Sequence, residues 1–116
     1  MQLMNLLEKI KTSPESISFA EVISYIDEHY HFTPTRFTNG VTVNEANQNN
    51  GSCKIFSFAK LQQLDKLQTL SLFGDFYRVD VLQNPDGTDH QNIRNFMSSG
   101  WEGINFGGEA LKEKQL

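Results

Sequence analysis

The 116-residue sequence contains a single cysteine, Cys53, and no apolar run long enough to span a membrane. One cysteine excludes an intramolecular disulfide and any zinc site built from several cysteines. A membrane helix needs roughly 18 or more consecutive apolar residues, and the chain has no such stretch. The first residues, MQLMNLLEKIK, lack the basic segment and long apolar core of a secretory signal peptide. We therefore expect a cytoplasmic protein.

Basic residues are also few and scattered. Ten Lys and Arg against fourteen Asp and Glu give a net charge of -4 and a pI of about 5.2. Nucleic acids and anionic membranes are bound by clusters of Lys and Arg, so both are disfavoured as partners. Aromatic residues, by contrast, are plentiful, with nine Phe, three Tyr and one Trp. We expect these rings to dominate one hydrophobic core.

The spacing of apolar residues predicts a mostly helical protein. Four segments carry the helical pattern: residues 2–11, 19–30, 52–63 and 66–82. Ser18 and Glu21 fit a capping box at the start of the second segment. The third segment is apolar on all sides and also fits a buried strand, but its trailing Ala-Lys-Leu-Gln-Gln favours a helix. Gly74 is expected to bend or split the fourth.

Residues 31–51 predict a long loop with one short strand, VTVN at 41–44. The segment GINFGG at 103–108 is expected to pair with this strand, and the tail at 109–116 to form a frayed helical turn. The sequence thus predicts an α+β fold, a small and mostly helical single domain over residues 1–116 with a short pair of β-strands.

The stretch NPDGTDHQNIRNFMSSGW, which ends at Trp101, carries the densest polar chemistry of the chain. Its first four residues predict a turn. Thr88 and Gln91 fit a second capping box, which predicts a helix over 89–99 that Gly100 ends.

On a helical wheel of this segment, Asp89 and His90 fall on the inward side with Ile93, whereas Gln91 and Asn95 point outward. An inward polar pair must be hydrogen-bonded or it destabilises the fold. Two interpretations follow. Either Asp89 supports the helix start and His90 bonds a nearby carbonyl, or the pair lines a crevice.

A thiol hydrolase is one chemistry that these residues permit. Cys53 follows NNGS at a predicted helix start, where the helix N-terminus can lower the pKa of a thiol. His90 would be the base, and Asp89 or Asn92 would orient it. Amides of the preceding loop, Asn47 or Gln48, would stabilise an oxyanion. The alternative is that Cys53 is a small buried hydrophobe.

Other residues are candidates for ligand contacts. The set comprises Glu45, Asn39, Asn92, Arg94 and Trp101. Glu45 stands alone among the amides of its loop, and the alternative is that it is a solvent-exposed turn residue. Trp101 either anchors the core or its rim, or is an exposed residue that contributes strongly to binding a partner.

A metal site would have to draw on His29, His31, His90, Asp86 or Asp89. These residues lack the histidine spacing of a helical zinc pair and the regular acids of a calcium loop. We predict no metal and no cofactor.

Four stretches of the chain resemble the bacterial HopJ family of type III effector proteins. They are PTRFTNG, NEANQNNGSCKIFSFA, TLSLFGDFYR and DVLQNPDGTDHQNIRNFMSSGWEGINF. The resemblance runs from about residue 17 to residue 110 and implies no catalytic residues, because the family has no established activity. The effector description implies delivery into a host cell. Such effectors usually begin with a disordered, Ser-rich signal, whereas here a helix is predicted almost from Met1, so the bacterial cytoplasm is equally compatible.

Two functional hypotheses lead from these observations. The first is a non-catalytic interaction or ligand-binding protein of the HopJ family, with another protein as its candidate partner. It predicts an exposed apolar patch at Trp101 or in residues 31–51. The alternative is a thiol hydrolase that uses Cys53 and His90, which requires the sulfur and an imidazole nitrogen to lie within about 4 Å. A metal-binding domain is third.

Overall fold

The computed structural model describes residues 2–114. Helices α1–α5 span Leu3–Thr12, Phe19–His29, Asn50–Leu61, Lys66–Ser71 and Gln91–Ser99. Strands β1–β5 span Tyr30–Phe32, Phe37–Asn39, Thr42–Asn44, Ile104–Phe106 and Leu111–Glu113. Short 3₁₀ turns lie at Pro14–Ser16 and Gly100–Gly103, and a π-helix at Phe76–Val81. The α+β prediction is confirmed. No helix within the described range has the length and apolar character needed to cross a membrane.

The predicted helix α2 begins with a capping box. The Ser18 hydroxyl accepts the Glu21 N–H at 3.1 Å, and the Glu21 carboxylate accepts the Ser18 N–H at 3.1 Å. A cap of this kind contributes about 1 kcal/mol to helix stability. The prediction of this box from the sequence is confirmed.

Gly74 splits the fourth helical segment, as its sequence predicts. Helix α4 ends at Ser71, the chain turns, and the π-helix follows. Gly74 has a φ of +59°, and a Cβ there would lie 2.8 Å from the Phe19 nitrogen. Both the left-handed backbone and the close approach to α2 therefore require glycine.

Helix α3 lies at the centre of the molecule, which explains why its sequence is apolar on all sides. Its buried residues run almost without a break from Cys53 to Ala59. The ring of Phe56 lies within 6.4 Å, centroid to centroid, of four other aromatic rings. They belong to Phe37, Phe73, Phe96 and Trp101. The predicted helix over 52–63 and the aromatic core are both observed.

The predicted pairing of VTVN with GINFGG is wrong. Strand β2, Phe37–Asn39, lies between the two, so the sheet order is β3-β2-β4 with both pairs antiparallel. Phe37 stands opposite Asn44 on one side and Phe106 on the other. The turn at Gly40, whose φ is +60°, places β2 beside β3, and a three-residue strand carries too little alternation to be recognised in the sequence.

The predicted helical turn in the tail is also wrong. Leu111–Glu113 pairs antiparallel with Tyr30–Phe32 in a second, two-stranded sheet, because Leu111 is buried in the core. The last two residues of that predicted turn lie outside the described part of the chain. In residues 31–51 the strand predicted at VTVN is observed at Thr42–Asn44, and two strands that were not predicted, Tyr30–Phe32 and Phe37–Asn39, shorten the expected loop.

Helix α5 ends as predicted and begins later than predicted. It ends at Ser99, where Gly100 adopts a φ of +60°. It begins at Gln91, and His90 before it has left-handed backbone angles of 51° and 50°. The predicted capping box of Thr88 and Gln91 is therefore wrong, since the N-cap position belongs to His90 and no side chain caps the helix.

Candidate functional site

A cleft of about 350 Å³ opens between the first turns of α3 and α5. Its polar lining includes Asn49 and Ser52 from α3 and His90, Gln91 and Asn92 from α5. Rings of Phe19, Phe73 and Phe76 form an apolar wall. Clefts of this size with a few polar groups on an apolar wall are typical of small-ligand sites. The polar stretches DGTDHQN and NEANQNNGSC thus meet at one place.

His90 is half-buried at the edge of this cleft, with 29% of its side chain exposed. Its Nε2 lies 3.0 Å from the Asp80 carboxylate, and its ring centroid lies 5.1 Å from that of Phe76. Both contacts come from the π-helix, which therefore holds the imidazole in place. For His90, the interpretation that it lines a crevice agrees with the structure.

Asp89 does not point inward, and that prediction is wrong. Its side chain is 58% exposed and accepts a 2.7 Å hydrogen bond from the Arg94 guanidinium. This bond holds the pKa of the Asp89 carboxyl below its usual range. The wheel misplaced Asp89 because the helix begins only at Gln91, so helical spacing does not apply before that residue. Arg94, a candidate ligand contact, also donates to the Asn84 carbonyl and so holds the preceding loop.

A buried network of asparagines supports the floor of the cleft. Asn44 and Asn92 exchange side-chain hydrogen bonds of 3.1 and 3.0 Å. Asn39 donates to the Asn92 carbonyl at 2.8 Å. All three are buried, so these bonds replace most of those that water would make, and among the described residues the Asn39 Oδ1 has no partner. Asn39 therefore connects β2 to α5 and does not line the cleft. Asn92 belongs to the same network and also lines the cleft.

Asn95, predicted to face solvent, also belongs to this connection. Its side chain donates to the Asn39 carbonyl at 3.0 Å and to the Thr42 hydroxyl at 2.7 Å. The outward prediction is wrong because the wheel took no account of the β2–β3 hairpin, which packs over this side of α5.

Both helices that open onto the cleft begin without a side-chain cap. Asn49, at the N-cap of α3, is left-handed with a φ of 53°, and its side chain donates to Asn44 instead. Among residues 2–114, four residues that line the cleft in these first turns have backbone N–H groups without a protein acceptor, namely Gly51, Ser52, Gln91 and Asn92. The next N–H groups, of Cys53 and Ile93, donate to the carbonyls of Asn49 and His90. Uncapped helix starts favour ligand atoms that accept hydrogen bonds and carry negative charge.

Cys53 lies in the core with 1% of its surface exposed, and it does not line the cleft. Its Sγ–H donates to the Thr35 carbonyl at 3.7 Å. Burial raises the pKa of this thiol, so the expected lowering by the helix N-terminus is wrong. Within the described residues no hydrogen bond joins Cys53 to His90, whose Nε2 is bound to Asp80.

The proposed oxyanion donors are turn residues. Gln48 uses its side-chain oxygen to accept the Glu45 N–H at 3.0 Å, and Asn47 has a left-handed φ of 73°. The Glu45 carboxylate lies 3.3 Å from Arg36 in an exposed ion pair. None of the three lines the cleft.

Trp101 is an anchor at the rim of the core. Its Nε1–H donates to the Leu64 carbonyl at 2.9 Å, and its ring packs against Phe56 and Phe96. It lines a different cavity from the cleft. The exposed apolar groups of residues 31–51 are Val41, 98% exposed at the tip of the hairpin, and Val43 on the edge strand.

Among the described residues, no group of three or more His, Cys, Asp and Glu side chains is placed to hold a metal ion. His29 stacks on Tyr25 at the end of α2, and His31 lies on β1.

Sequence reasoning missed Asp80, Asn44 and Phe76. Asn44 could have been identified from the sequence, because it ends an alternating strand in a stretch rich in amides. Asp80 had none, because the π-helix that presents it has no sequence pattern of its own.

Comparison with known proteins gives two matches. A family model described as HopJ type III effector protein matches residues 3–111. The chain is also similar to a solved structure entitled "Crystal structure of unknown function protein VPA0580". The two are 55% identical, with a TM-score of 0.96 over 98% of this chain and 95% of that one. No curated protein matches. The resemblance inferred from four sequence stretches is confirmed, and the chain belongs to the HopJ type III effector family.

Proposed function

We propose that this HopJ-family protein is a non-catalytic binding domain that holds a carboxylate or phosphate group in the cleft between α3 and α5. The observation that carries the proposal is the convergence of His90 and the free backbone N–H groups of two helix starts on one open cleft with an apolar wall. A ligand there meets the backbone N–H groups of both helix starts, which have no protein acceptor in the described chain. Groups rich in acceptor atoms match this lining.

Binding fits the geometry better than catalysis does. The alternative, a thiol hydrolase, needs an activated thiol beside a base, and Cys53 is buried with a raised pKa while His90 is bound to Asp80. Apart from His90, the side chains around the cleft are amides, hydroxyls, phenyl rings and one isoleucine, so no thiol or carboxylate lines the cleft beside the imidazole.

The effector description of the family implies delivery into a host cell. We place the action of the cleft there, with the bacterial cytoplasm as the alternative site of action. Nucleic acid and membrane stay disfavoured as partners, since the net charge is -4 and no basic cluster is present in the sequence.

The test is an NMR titration of the ¹⁵N-labelled protein with sodium acetate and, separately, inorganic phosphate. We expect the largest shifts at the amide signals of Gly51, Ser52, Gln91 and Asn92. The matched variants are Gln91→Glu, which adds a carboxylate at the cleft, and Gln83→Glu, which adds one at an exposed position outside it.

Gln91→Glu is expected to weaken binding of either anion by about fivefold while leaving the fold intact, because a carboxylate in the first turn of a helix is itself stabilising. Gln83→Glu should bind as the parent does. The proposal fails if neither anion shifts the four amide signals, or if the two variants lose affinity equally.

A further inference from the structure

The chain contains two Asn-Gly pairs, at residues 39–40 and 50–51. An asparagine before a glycine is prone to lose its side-chain amide, because the backbone nitrogen of the glycine attacks the amide carbon and no Cβ on that glycine hinders the attack. In a folded protein the reaction requires that the side-chain amide and the glycine N–H be free of hydrogen bonds, and that the backbone can open. The two pairs differ in these respects.

Asn39 is held on all sides. It is fully buried, and its Nδ2 donates to the carbonyl of Asn92 at 2.8 Å. The Gly40 N–H donates to the Gly103 carbonyl at 3.0 Å. Attack by the Gly40 nitrogen would break both bonds, so it requires the β2–β3 hairpin to separate from α5 and from the start of β4.

Asn50 lacks comparable contacts. It is the first residue of α3 and is partly exposed. Among residues 2–114, no hydrogen bond joins its side chain to another residue, and the Gly51 N–H has no protein acceptor. A Cβ at Gly51 would lie 3.0 Å from the Phe19 Cζ, so the packing also favours glycine after Asn50. The nucleophile and the amide it would attack are therefore both free.

The first turn of α3 must open before the reaction can occur, because a helical backbone holds the Gly51 nitrogen away from the Asn50 side-chain carbon. The helix has no side-chain cap, and Asn49 before it has a left-handed φ of 53°. A helix start without a cap frays readily, and fraying of one turn requires far less free energy than opening a buried hairpin. Asn50 is thus reached by a local opening, whereas Asn39 is not.

We propose that Asn50 is a site of spontaneous deamidation in the folded protein. The Gly51 nitrogen loses its proton to solvent and forms a C–N bond with the Asn50 side-chain carbon, and the side-chain nitrogen leaves as ammonia. Water then opens the resulting succinimide at either carbonyl, breaking one C–N bond of the ring, and the product is aspartate or isoaspartate. Water is the co-reactant, and no group is oxidised or reduced.

The reaction adds a negative charge to the first turn of α3. The new carboxylate interacts favourably with the helix dipole, so the aspartate product stabilises the helix start. It also lies in the same turn as Gly51 and Ser52, which line the cleft, and it repels a bound anion. This effect on binding rests on the proposed function, whereas the reaction itself does not.

The test incubates the full chain at neutral pH and follows both Asn-Gly pairs by peptide mapping with mass spectrometry. Cleavage after Glu45 places the two pairs on different peptides. We expect Asn50 to deamidate at least about tenfold faster than Asn39 in the folded protein. In urea, where both sites lose their contacts, the two rates should agree within about threefold. Asn50→Gln should abolish the fast reaction.

The inference is overturned if the two asparagines react at equal rates in the folded protein, or if Asn50 stays unmodified while the unfolded chain reacts. A rate difference that persists in urea overturns it as well, since the fold would not be its cause.

The effect on binding is measured separately with Asn50→Asp, which reproduces the aspartate product. We expect this variant to bind acetate about fivefold more weakly than the parent, with Gln83→Glu again as the control. If the parent binds neither acetate nor phosphate, the proposed function fails while the deamidation rates still decide the present inference. If the parent binds acetate and Asn50→Asp binds it equally well, the effect of the modification on the cleft is overturned.

Discussion

His90 combines an unfavourable backbone with a well-supported side chain. A residue with a Cβ in the left-handed region costs roughly 1–2 kcal/mol relative to a right-handed conformation, and glycine avoids this cost. In return, the imidazole contacts Asp80 and Phe76 and faces the cleft. Strain at such a residue is a feature of ligand sites, where the surrounding structure holds it in place.

Two substitutions of His90 separate these effects. His90→Ala removes the imidazole and keeps the strain, whereas His90→Gly removes both. We expect the Ala variant to be less stable than the Gly variant by about 1 kcal/mol, measured by urea unfolding. Both should bind acetate more weakly than the parent. Equal stability of the two variants would contradict the strain argument.

Cys53 provides a test of the hydrolase alternative at the same scale. Because burial raises the pKa of the thiol, the folded protein holds less thiolate at neutral pH than the unfolded chain does. We expect iodoacetamide to modify native Cys53 slowly at pH 7 and quickly in urea, as followed by mass spectrometry. The same shift makes the folded state lose stability as the pH rises above the unfolded thiol pKa. Fast native alkylation at pH 7 would restore the hydrolase hypothesis.

At the scale of elements, the asparagine network decides where α5 lies. It connects the β2–β3 hairpin to the first turn of the helix, and so sets one side of the cleft. A buried amide that loses its partner keeps the full cost of its desolvation. The network is therefore strongly stabilising only as a complete set.

Asn92→Ala removes the side-chain hydrogen bonds that Asn92 makes with Asn39 and Asn44 and leaves a cavity among buried polar groups, while Asn39 keeps its bond to the backbone carbonyl of residue 92. We expect a loss of about 3 kcal/mol in the free energy of unfolding, measured by urea titration. The matched control is Asn105→Ala on β4, where the side chain is exposed and the expected change is within about 0.5 kcal/mol. Similar effects at the two positions would show that the network adds little.

The helices could be predicted from the sequence, and most of the strands could not. Helix α1 and helix α2 carry long apolar stripes, and Ser18 with Glu21 marks a start through local hydrogen bonds alone. Strands of three residues are stabilised by pairing with segments that are distant in sequence, as Leu111–Glu113 is by pairing with β1. The local sequence pattern of a strand does not identify the segment with which it pairs.

The candidate site was predictable in part for the same reason. His90 and Asn92 stood out as polar residues beside an apolar helix face, and both line the cleft. The start of α5 was misplaced because Thr88 and Gln91 satisfy the capping pattern, whereas the tertiary contact of His90 with Asp80 sets the helix start two residues beyond that expected. Phe76 lines the cleft and Asp80 contacts His90 in the segment that follows the turn of the chain at Gly74.

At the scale of the whole molecule, one aromatic cluster connects the helices to the three-stranded sheet. The ring of Phe56 on α3 packs against those of Phe37 on β2, Phe96 on α5 and Trp101 just after α5, so the walls of the cleft pack on this cluster. The cleft is consequently built on a rigid support rather than on mobile loops, which favours a ligand site formed before the ligand arrives.

The pairing of β1 with β5 joins segments near opposite ends of the chain. During synthesis β1 leaves the ribosome long before β5 does, so the edge of β1 that pairs with β5 stays without this partner until β5 has been made. Contacts of such long sequence separation form slowly, because a large loop must close first. The two-stranded sheet is therefore among the last parts of the fold to form, and a chain that stops before Leu111 would leave the edge of Tyr30–Phe32 open to pairing with another chain.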